Sequence, residues 1–113
     1  MLKDVVLESR YRYRDLLAAN PGIATNILAD RLKRLEQRGL VSKTRDDKDA
    51  RQYLYRPTSL AISVIPMLVE MIIWGSENGE GRGSPAFTQR FKSDRTGLIR
   101  ELQSNARKKA GLK

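Results

Sequence analysis

The sequence contains no cysteine and no histidine, and it has a single tryptophan. Without cysteine the chain forms no disulfide and offers no thiolate nucleophile or thiol redox sensor. Without either residue it also lacks the usual ligands of zinc and copper sites. Paired catalytic carboxylates and a glycine-rich phosphate loop are not recognisable either. We therefore expect no metal, no cofactor and no enzymatic activity.

Long hydrophobic runs are missing as well. The most apolar stretch, residues 60–74, is interrupted by Pro66 and Glu70 and is shorter than the roughly 20 residues that span a membrane. No signal peptide is recognisable. We expect a cytoplasmic, nucleoid-associated protein without a membrane partner. The 113 residues, 40% of them hydrophobic, suffice for one domain with a modest core.

Positive charge, in contrast, is abundant. Lysine and arginine total 22 against 13 acidic residues, which gives a formal net charge of +9. The excess lies in two parts of the chain, residues 8–57 and residues 88–113, on either side of a slightly acidic middle. Such a charge favours a polyanionic partner, of which nucleic acid is the commonest. A basic protein without such a partner is the alternative at this point.

The first third of the chain has the pattern of two helices joined by a tight turn. Residues 12–19 and 24–38 carry apolar side chains at helical spacing. Asn20-Pro21-Gly22 separates them, because proline disfavours helix in the residue before it and glycine permits a tight turn. The apolar positions of these two helices predict the core residues Tyr13, Ile27, Leu28, Leu32 and Leu35.

The period of the pattern changes after Gly39, which stands where a left-handed helix C-terminus is expected. Residues 40–45 suit a strand, and residues 51–56 alternate between polar and apolar side chains, as a returning strand does. Polar residues separate the two segments, so we predict a β-hairpin. The aspartates at its tip argue against deep insertion into DNA, because they repel phosphate.

A further helix is predicted after the hairpin. Thr58 or Ser59 is suited to cap it, and its apolar residues continue to Trp74. Pro66 lies within this segment and removes a backbone donor, so we expect a kink there.

The last third is less regular. Residues 76–87 are rich in glycine and are predicted to form a flexible linker. Ser93 or Asp94 is expected to start a last helix, and residues 106–113 are expected to form a frayed basic tail.

The order helix, turn, helix, β-hairpin, helix is that of a winged helix-turn-helix, mostly α with a small β-hairpin wing. We expect this domain over residues 1–75, the linker over 76–87, and a C-terminal helix with its tail over 88–113. The second helix, residues 25–38, is predicted to enter the major groove, and the wing, residues 40–57, to reach the backbone or minor groove. The predicted function is sequence-specific recognition of double-stranded DNA by a transcriptional regulator.

Two groups of side chains are candidates for DNA contact. Base contacts are predicted for Thr25, Asn26 and Arg31, because asparagine pairs with adenine, threonine packs on the thymine methyl and arginine pairs with guanine. A purely capping role is the alternative for the first two. Contacts to the DNA backbone, from the first helix, the second helix and the wing, are predicted for Arg10, Arg12, Arg14, Lys33, Lys43, Arg45, Lys48 and Arg51.

Two stretches also carry a family resemblance: RYRYRDLLAANPGIATNILADRLKRLEQRGLVSK and RQYLYRPTSLAISVIPMLVEMIIWG. Over residues 2–75, and more weakly over 88–102, the chain resembles the HxlR-type winged-helix transcriptional regulators of prokaryotes. The resemblance implies dimers that bind operators near promoters and mostly repress. By position it also implies that Arg12 belongs to a basic-aromatic pair that begins the first helix, and that Arg51 lies on the wing.

The chain departs from this family in its N-terminal part. The family usually has a further N-terminal helix that helps form the dimer, and this chain begins inside the helix that follows it. Ala24 stands where the family has a serine cap, and Thr25 is expected to replace it. We expect a homodimer through the helices of residues 59–74 and 94–105. The alternative is a truncated or nonspecific basic DNA-binding protein, and a small-molecule effector is left open.

Overall fold

The computed structural model describes residues 1–79 and 84–112. It is mostly helical, with one antiparallel pair of strands, as predicted. The elements in chain order are α1 (Leu2–Val6), α2 (Tyr13–Ala19), α3 (Thr25–Gln37), β1 (Val41–Arg45), β2 (Tyr53–Pro57), α4 (Ser59–Ile62), α5 (Ile65–Glu77), α6 (Pro85–Ser93) and α7 (Arg95–Ala110).

Helices α2 and α3 are joined by the predicted turn. The Asn20 side chain donates to the Leu16 carbonyl over 2.6 Å and so satisfies one of the acceptors at the end of α2. Gly22 has a φ of +89°, and the Ile23 N–H donates back to the Asn20 carbonyl. This left-handed conformation is the one that glycine adopts without steric cost. The turn sequence thus sets the angle at which α3 leaves α2.

The hairpin pairs Val41 with Pro57 at its base and Arg45 with Tyr53 at its tip. A short third segment joins β2 from its other side: the Tyr55 N–H donates to the Tyr11 carbonyl over 2.7 Å. Arg12 and Leu54 form an isolated bridge at the same place. The residues just before α2 are therefore bonded to the wing, which fixes the hairpin to the helix-turn-helix.

The segment after the hairpin corrects one prediction. It forms two helices instead of one kinked helix, because α4 ends at Ile62 and α5 begins at Ile65. The Thr58 hydroxyl caps α4 by accepting from the Ala61 N–H. Pro66 lies in the first turn of α5, where a missing N–H costs no intrahelical hydrogen bond. It therefore starts a helix and does not bend one.

The C-terminal part corrects two more predictions. Of the predicted linker, residues 76–77 belong to α5, residues 85–87 belong to α6, and residues 80–83 lie outside the described residues. Helix α6 was not predicted, although Ser84 accepts from the Phe87 N–H and a proline follows it, a common helix start. The predicted frayed tail is also wrong up to residue 110, where α7 ends.

The N-cap of helix α7 is Asp94, one of the two predicted starts. The Asp94 carboxylate accepts a hydrogen bond from the Gly97 N–H over 3.1 Å. A Cβ at position 97 would overlap this carboxylate. Gly97, although glycine is unfavourable in a helix, thus leaves the space in which the cap folds back onto the first turn.

Two clusters of buried side chains form the core. One holds α2, α3 and β1 together through Leu16, Leu28 and Leu32, with Val5 and Val41. The other lies among α4, α5 and α7, and Val6 belongs to it. The short helix α1 joins the two clusters, since its neighbouring valines enter one each. The prediction that Ile27 belongs to the core is wrong, because Ile27 is 45% exposed.

No helix in the described part of the chain combines the length and the apolar character that crossing a bilayer requires.

Candidate nucleic-acid interface

One side of α3 is exposed. Asn26, Asp30, Lys33 and Gln37 follow one another at intervals of four, three and four residues, so they lie on one face of the helix. All four are exposed, whereas Leu28 and Leu32 on the opposite face are buried. This face is polar along its whole length. With 13 residues, α3 is about 20 Å long and presents the face as a straight row.

The N-terminus of α3 is open to a ligand. Its cap is Ala24, which offers no side-chain hydrogen bond, so the expectation that Thr25 replaces the cap is wrong. The Ile27 and Leu28 amides bond to the Ala24 carbonyl, and the two amides before them have no intrahelical acceptor. The helix dipole favours an anion at this end. The two amides without an intrahelical acceptor thus belong to the exposed residues Thr25 and Asn26.

Helix α2 holds this end of α3 in place. The Tyr13 hydroxyl, at the start of α2, donates to the Thr25 carbonyl over 2.9 Å. Because Tyr13 also packs against the buried cluster of α2 and α3, its hydroxyl is fixed in position. The contact sets where the first turn of α3 lies relative to α2.

Arg31 lies on a different side of α3 from Asn26. Together with Arg34 and Arg38 it lines a groove beside Met1 and Leu2 of the N-terminal segment. Asp30 pairs with Arg34 over 3.1 Å. The structure thus separates Arg31 from the other two residues predicted to contact bases, and it brings Lys33 onto their face instead.

Two basic side chains of the wing lie over a tyrosine ring. The Lys43 ammonium lies 4.3 Å from the centre of the Tyr53 ring, and the Arg45 guanidinium lies 5.0 Å from it. Lys43, Arg45 and Tyr53 share one face of the hairpin with Tyr55, because side chains alternate along a strand. Cation–π contacts of this kind hold flexible basic side chains near one position while leaving them charged.

A shallow pocket lies between the wing and α2. It is lined by side chains from both elements, namely Tyr13, Arg14, Arg51, Gln52, Tyr53 and Tyr55. Arg14 and Arg51 are exposed, so the pocket is edged with positive charge. It brings together two of the predicted backbone contacts that are far apart in the sequence. The tyrosines that line it were not predicted as site residues.

Three of the predicted backbone contacts are paired with carboxylates. Arg10 pairs with Asp4 over 3.2 Å, and Arg12 pairs with Asp46 over 2.8 Å. Arg51 pairs with its neighbour Asp49, but its side chain is 91% exposed. No carboxylate of the described residues lies within ion-pair distance of Arg14, Lys33, Lys43, Arg45 or Lys48.

Asp46 is buried despite its charge. The backbone N–H of Lys48 and the guanidinium of Arg12 both donate to its carboxylate, and they lower the pKa of the Asp46 carboxyl below its ordinary value of 3.8. Asp46 was predicted only as a repulsive charge at the wing tip. The spacing Asp46–Lys48 of a side-chain-to-backbone turn is the signal that could have indicated its role.

The described residues include no group of three or more acidic side chains arranged to hold a metal ion. The groups available for binding are therefore the cations, amides, hydroxyls and aromatic rings already described. Such a set suits a polyanion with hydrogen-bonding edges.

A second exposed feature lies on α5. Met67, Met71 and Trp74 are 60%, 64% and 65% exposed and follow one another at helical spacing. They line an apolar groove that also includes Lys3. The predicted dimer surface is corrected in one respect: Leu98 and Ile99 of α7 are buried against α5 of the same chain, so they are not free to meet a second copy.

Comparison with known proteins agrees with this geometry. The HxlR-like helix-turn-helix family model matches residues 2–82, which confirms the resemblance identified in the sequence. Among solved structures, PA1607, described provisionally as a transcription factor, is similar with a TM-score of 0.62 and 26% sequence identity. The match covers 74% of this chain and 55% of that one. No curated protein matches the chain.

Proposed function

The chain belongs to the HxlR-like helix-turn-helix family, and we propose that it is a transcriptional regulator that binds double-stranded DNA at specific sequences. The observation that carries this proposal is the exposed polar face of α3, a helix whose first residue bonds to Tyr13 at the edge of the basic pocket. A helix of this kind fits the major groove, where the base edges differ for every pair.

Base reading is assigned to the first turns of α3. Asn26 is exposed on the free face and can pair with adenine through two hydrogen bonds, and Thr25 can contact a neighbouring base. Recognition helices place their N-terminal residues against base edges, which matches the position of both side chains. Lys33, on the same face, is suited to a phosphate or to guanine. Arg31, beside the N-terminal segment, is suited to the backbone rather than to bases.

The surrounding cations are assigned to the DNA backbone. Arg14 and Arg51 edge the pocket between α2 and the wing, and Lys43 and Arg45 are held on the wing by tyrosine rings. Contacts to phosphate fix the register of the protein on the duplex but carry no sequence information. Because each neutralised phosphate releases counterions, we expect affinity to fall steeply with salt.

Two copies are proposed to act together. The exposed stripe of Met67, Met71 and Trp74 on α5 is apolar and would be covered in a symmetric pair. In such a dimer the two α3 helices would enter successive major grooves, about 34 Å apart. Occupation of a promoter by this dimer would block transcription, so repression is the proposed outcome.

A binding-site selection tests the proposal against nonspecific binding. The full chain is incubated with a pool of random duplexes, and the bound fraction is amplified and sequenced over several rounds. A specific regulator enriches one motif, and a dimer enriches a palindrome with half-sites about one helical turn apart. A pool that stays random while total binding remains strong would support the nonspecific alternative. Absence of any binding would contradict DNA binding itself.

A further inference from the structure

Asp46 is the only side chain classed as both charged and buried within the described ranges, with 5% exposure. It follows β1 at the start of the wing tip. Its N–H donates to the Gln52 carbonyl over 2.9 Å, which closes the hairpin, and one carboxylate oxygen accepts from the Lys48 N–H over 2.9 Å. The carboxylate is thus held by the wing's own backbone in one orientation.

The second carboxylate oxygen of Asp46 is bonded to Arg12. It accepts from Nε over 3.1 Å and from Nη2 over 2.8 Å. Arg12 lies 34 residues earlier in the chain and is the N-terminal cap residue of α2. Its carbonyl accepts from the Leu16 N–H of the first turn. The Asp46 side chain thus bonds the wing tip to the N-cap of α2, in addition to the backbone bonds that join this segment to β2.

The connection continues to the recognition helix. Tyr13 follows Arg12 directly and donates its hydroxyl to the Thr25 carbonyl, at the first residue of α3. The path from the wing tip to the base-reading end of α3 thus runs through Asp46, Arg12, Tyr13 and Thr25. Each step is a hydrogen bond or a peptide bond. A change in the direction of the wing would therefore shift this end of α3, and a shift of this end of α3 would move the wing.

We propose that Asp46 and Arg12 form a positioning pair that fixes the wing relative to the N-terminus of α3, so that both elements contact one duplex together. This inference rests on the proposed function and reassigns Arg12, which the sequence indicated as a phosphate contact. The Arg12 guanidinium already donates twice to a buried carboxylate, and its side chain is only 34% exposed. The charge of Arg12 is thus compensated by a carboxylate within the protein.

The direction in which Asp46→Asn changes the affinity for DNA distinguishes the two possible roles of Arg12. Asp46→Asn removes a negative charge and, if Arg12 is a phosphate contact, frees that arginine, so DNA binding would strengthen. A positioning pair predicts the opposite: affinity falls about tenfold, and the salt slope shrinks by about one to two as the wing loses its phosphates. Asparagine has the same shape as aspartate and can still accept from the Lys48 N–H, so the turn is retained.

Matched variants complete this test. Asp47→Asn removes the same charge from an exposed carboxylate one residue further along, and it is expected to bind DNA as tightly as the wild type or more tightly. Arg12→Gln is expected to reproduce the loss seen with Asp46→Asn. Because both substitutions break the same contact, the double variant should bind no more weakly than either single one.

A second readout needs no DNA. The chain has no cysteine, so nitroxide labels can be placed at Ala50→Cys on the wing and Gln37→Cys on α3, and their separation measured by pulsed electron resonance in samples diluted with unlabelled protein. We expect a narrow distance distribution in the wild type and a broadened one in Asp46→Asn, at temperatures where both are folded. A role in stability alone would lower the melting temperature without changing this distribution.

The outcomes separate this inference from the proposed function. If the wild type binds no DNA, the proposed function fails, and the label distances still test the positioning pair. If the wild type binds DNA and Asp46→Asn binds as tightly or more tightly, the positioning pair is wrong. An unchanged distance distribution in Asp46→Asn would also overturn it.

Discussion

The arginines near the start of α2 look alike in the sequence and differ in the structure. Arg10 and Arg12 are paired with carboxylates, whereas Arg14 is exposed beside the tyrosines of the wing. The partner of Arg12 lies 34 residues away, and no local pattern identifies a contact of that kind. The sequence could therefore predict that this region is basic, but not which of its charges are available to a ligand.

The lowered pKa of the Asp46 carboxyl predicts how the stability of the fold depends on pH. Because its pKa in the folded state is lowered below 3.8, its ion pair stabilises the fold above that pH, and the contribution is lost as the pH falls through the lowered value. Urea unfolding of Asp46→Asn and the wild type should give midpoints that differ at pH 7 and converge below pH 3.8.

The control for this measurement is Asp47→Asn, which removes an equal charge from an exposed position. Its difference from the wild type at pH 7 should be the smaller one, because surface charges contribute little to stability. A difference between Asp46→Asn and the wild type that stays constant across this pH range would contradict the assignment of the ion pair.

Among the elements, those with strong local signals were predicted well. The turn at Asn20-Pro21-Gly22, the end of α3 at Gly39 and the hairpin all rest on residues whose backbone preferences leave few choices. Gly39 has the expected positive φ of +75°.

The elements that were missed depend on packing. Helix α6 is short and has no buried residue, but Phe87 and Phe91 pack against the cluster of α4, α5 and α7. The break between α4 and α5 likewise depends on tertiary structure, because both helices must place apolar side chains in that cluster. An apolar pattern alone is the same for one kinked helix and for two short ones.

Pro66 provides a test of this break. Since it lies in the first turn of α5, Pro66→Ala should change the free energy of unfolding by less than about 1 kcal/mol. A proline inside a continuous helix would instead destabilise it by about 3 kcal/mol, so its replacement would stabilise the protein strongly. Thermal and urea unfolding of the variant distinguish the two cases, and a large stabilisation would contradict the two-helix arrangement.

The whole molecule separates two surfaces of different character. The polar, basic surface formed by α3 and the wing is the proposed DNA surface, and the apolar stripe on α5 is the proposed contact with a second copy of the chain. The sequence predicted the first from charge and element order. It predicted the apolar surface only in part, because the apolar residues of α7 that were also expected in this surface are buried in the core of the same chain.

The stripe on α5 predicts the oligomeric state. Met71→Glu places a carboxylate among Met67 and Trp74, and burying it in a dimer would require an unpaired charge to lose its water. Sedimentation equilibrium should show a wild-type dimer and a monomeric variant with an unchanged circular dichroism spectrum. Gln89→Glu adds the same charge at an exposed position of α6 and should leave the dimer intact. A monomeric wild type would contradict this part of the proposal.

Base reading by Asn26 on the exposed face of α3 is tested by a ratio of two affinities. The affinity of the selected duplex is divided by that of a scrambled duplex of the same length, for the wild type, Asn26→Ala and Lys48→Ala at one salt concentration. Asn26→Ala is expected to lose about 1–3 kcal/mol of discrimination and to keep its affinity for the scrambled duplex. Lys48→Ala, which removes a predicted phosphate contact of the wing, is expected to weaken both affinities alike and keep the ratio. An Asn26→Ala variant that binds both duplexes equally more weakly, with its ratio unchanged, would contradict base reading by α3.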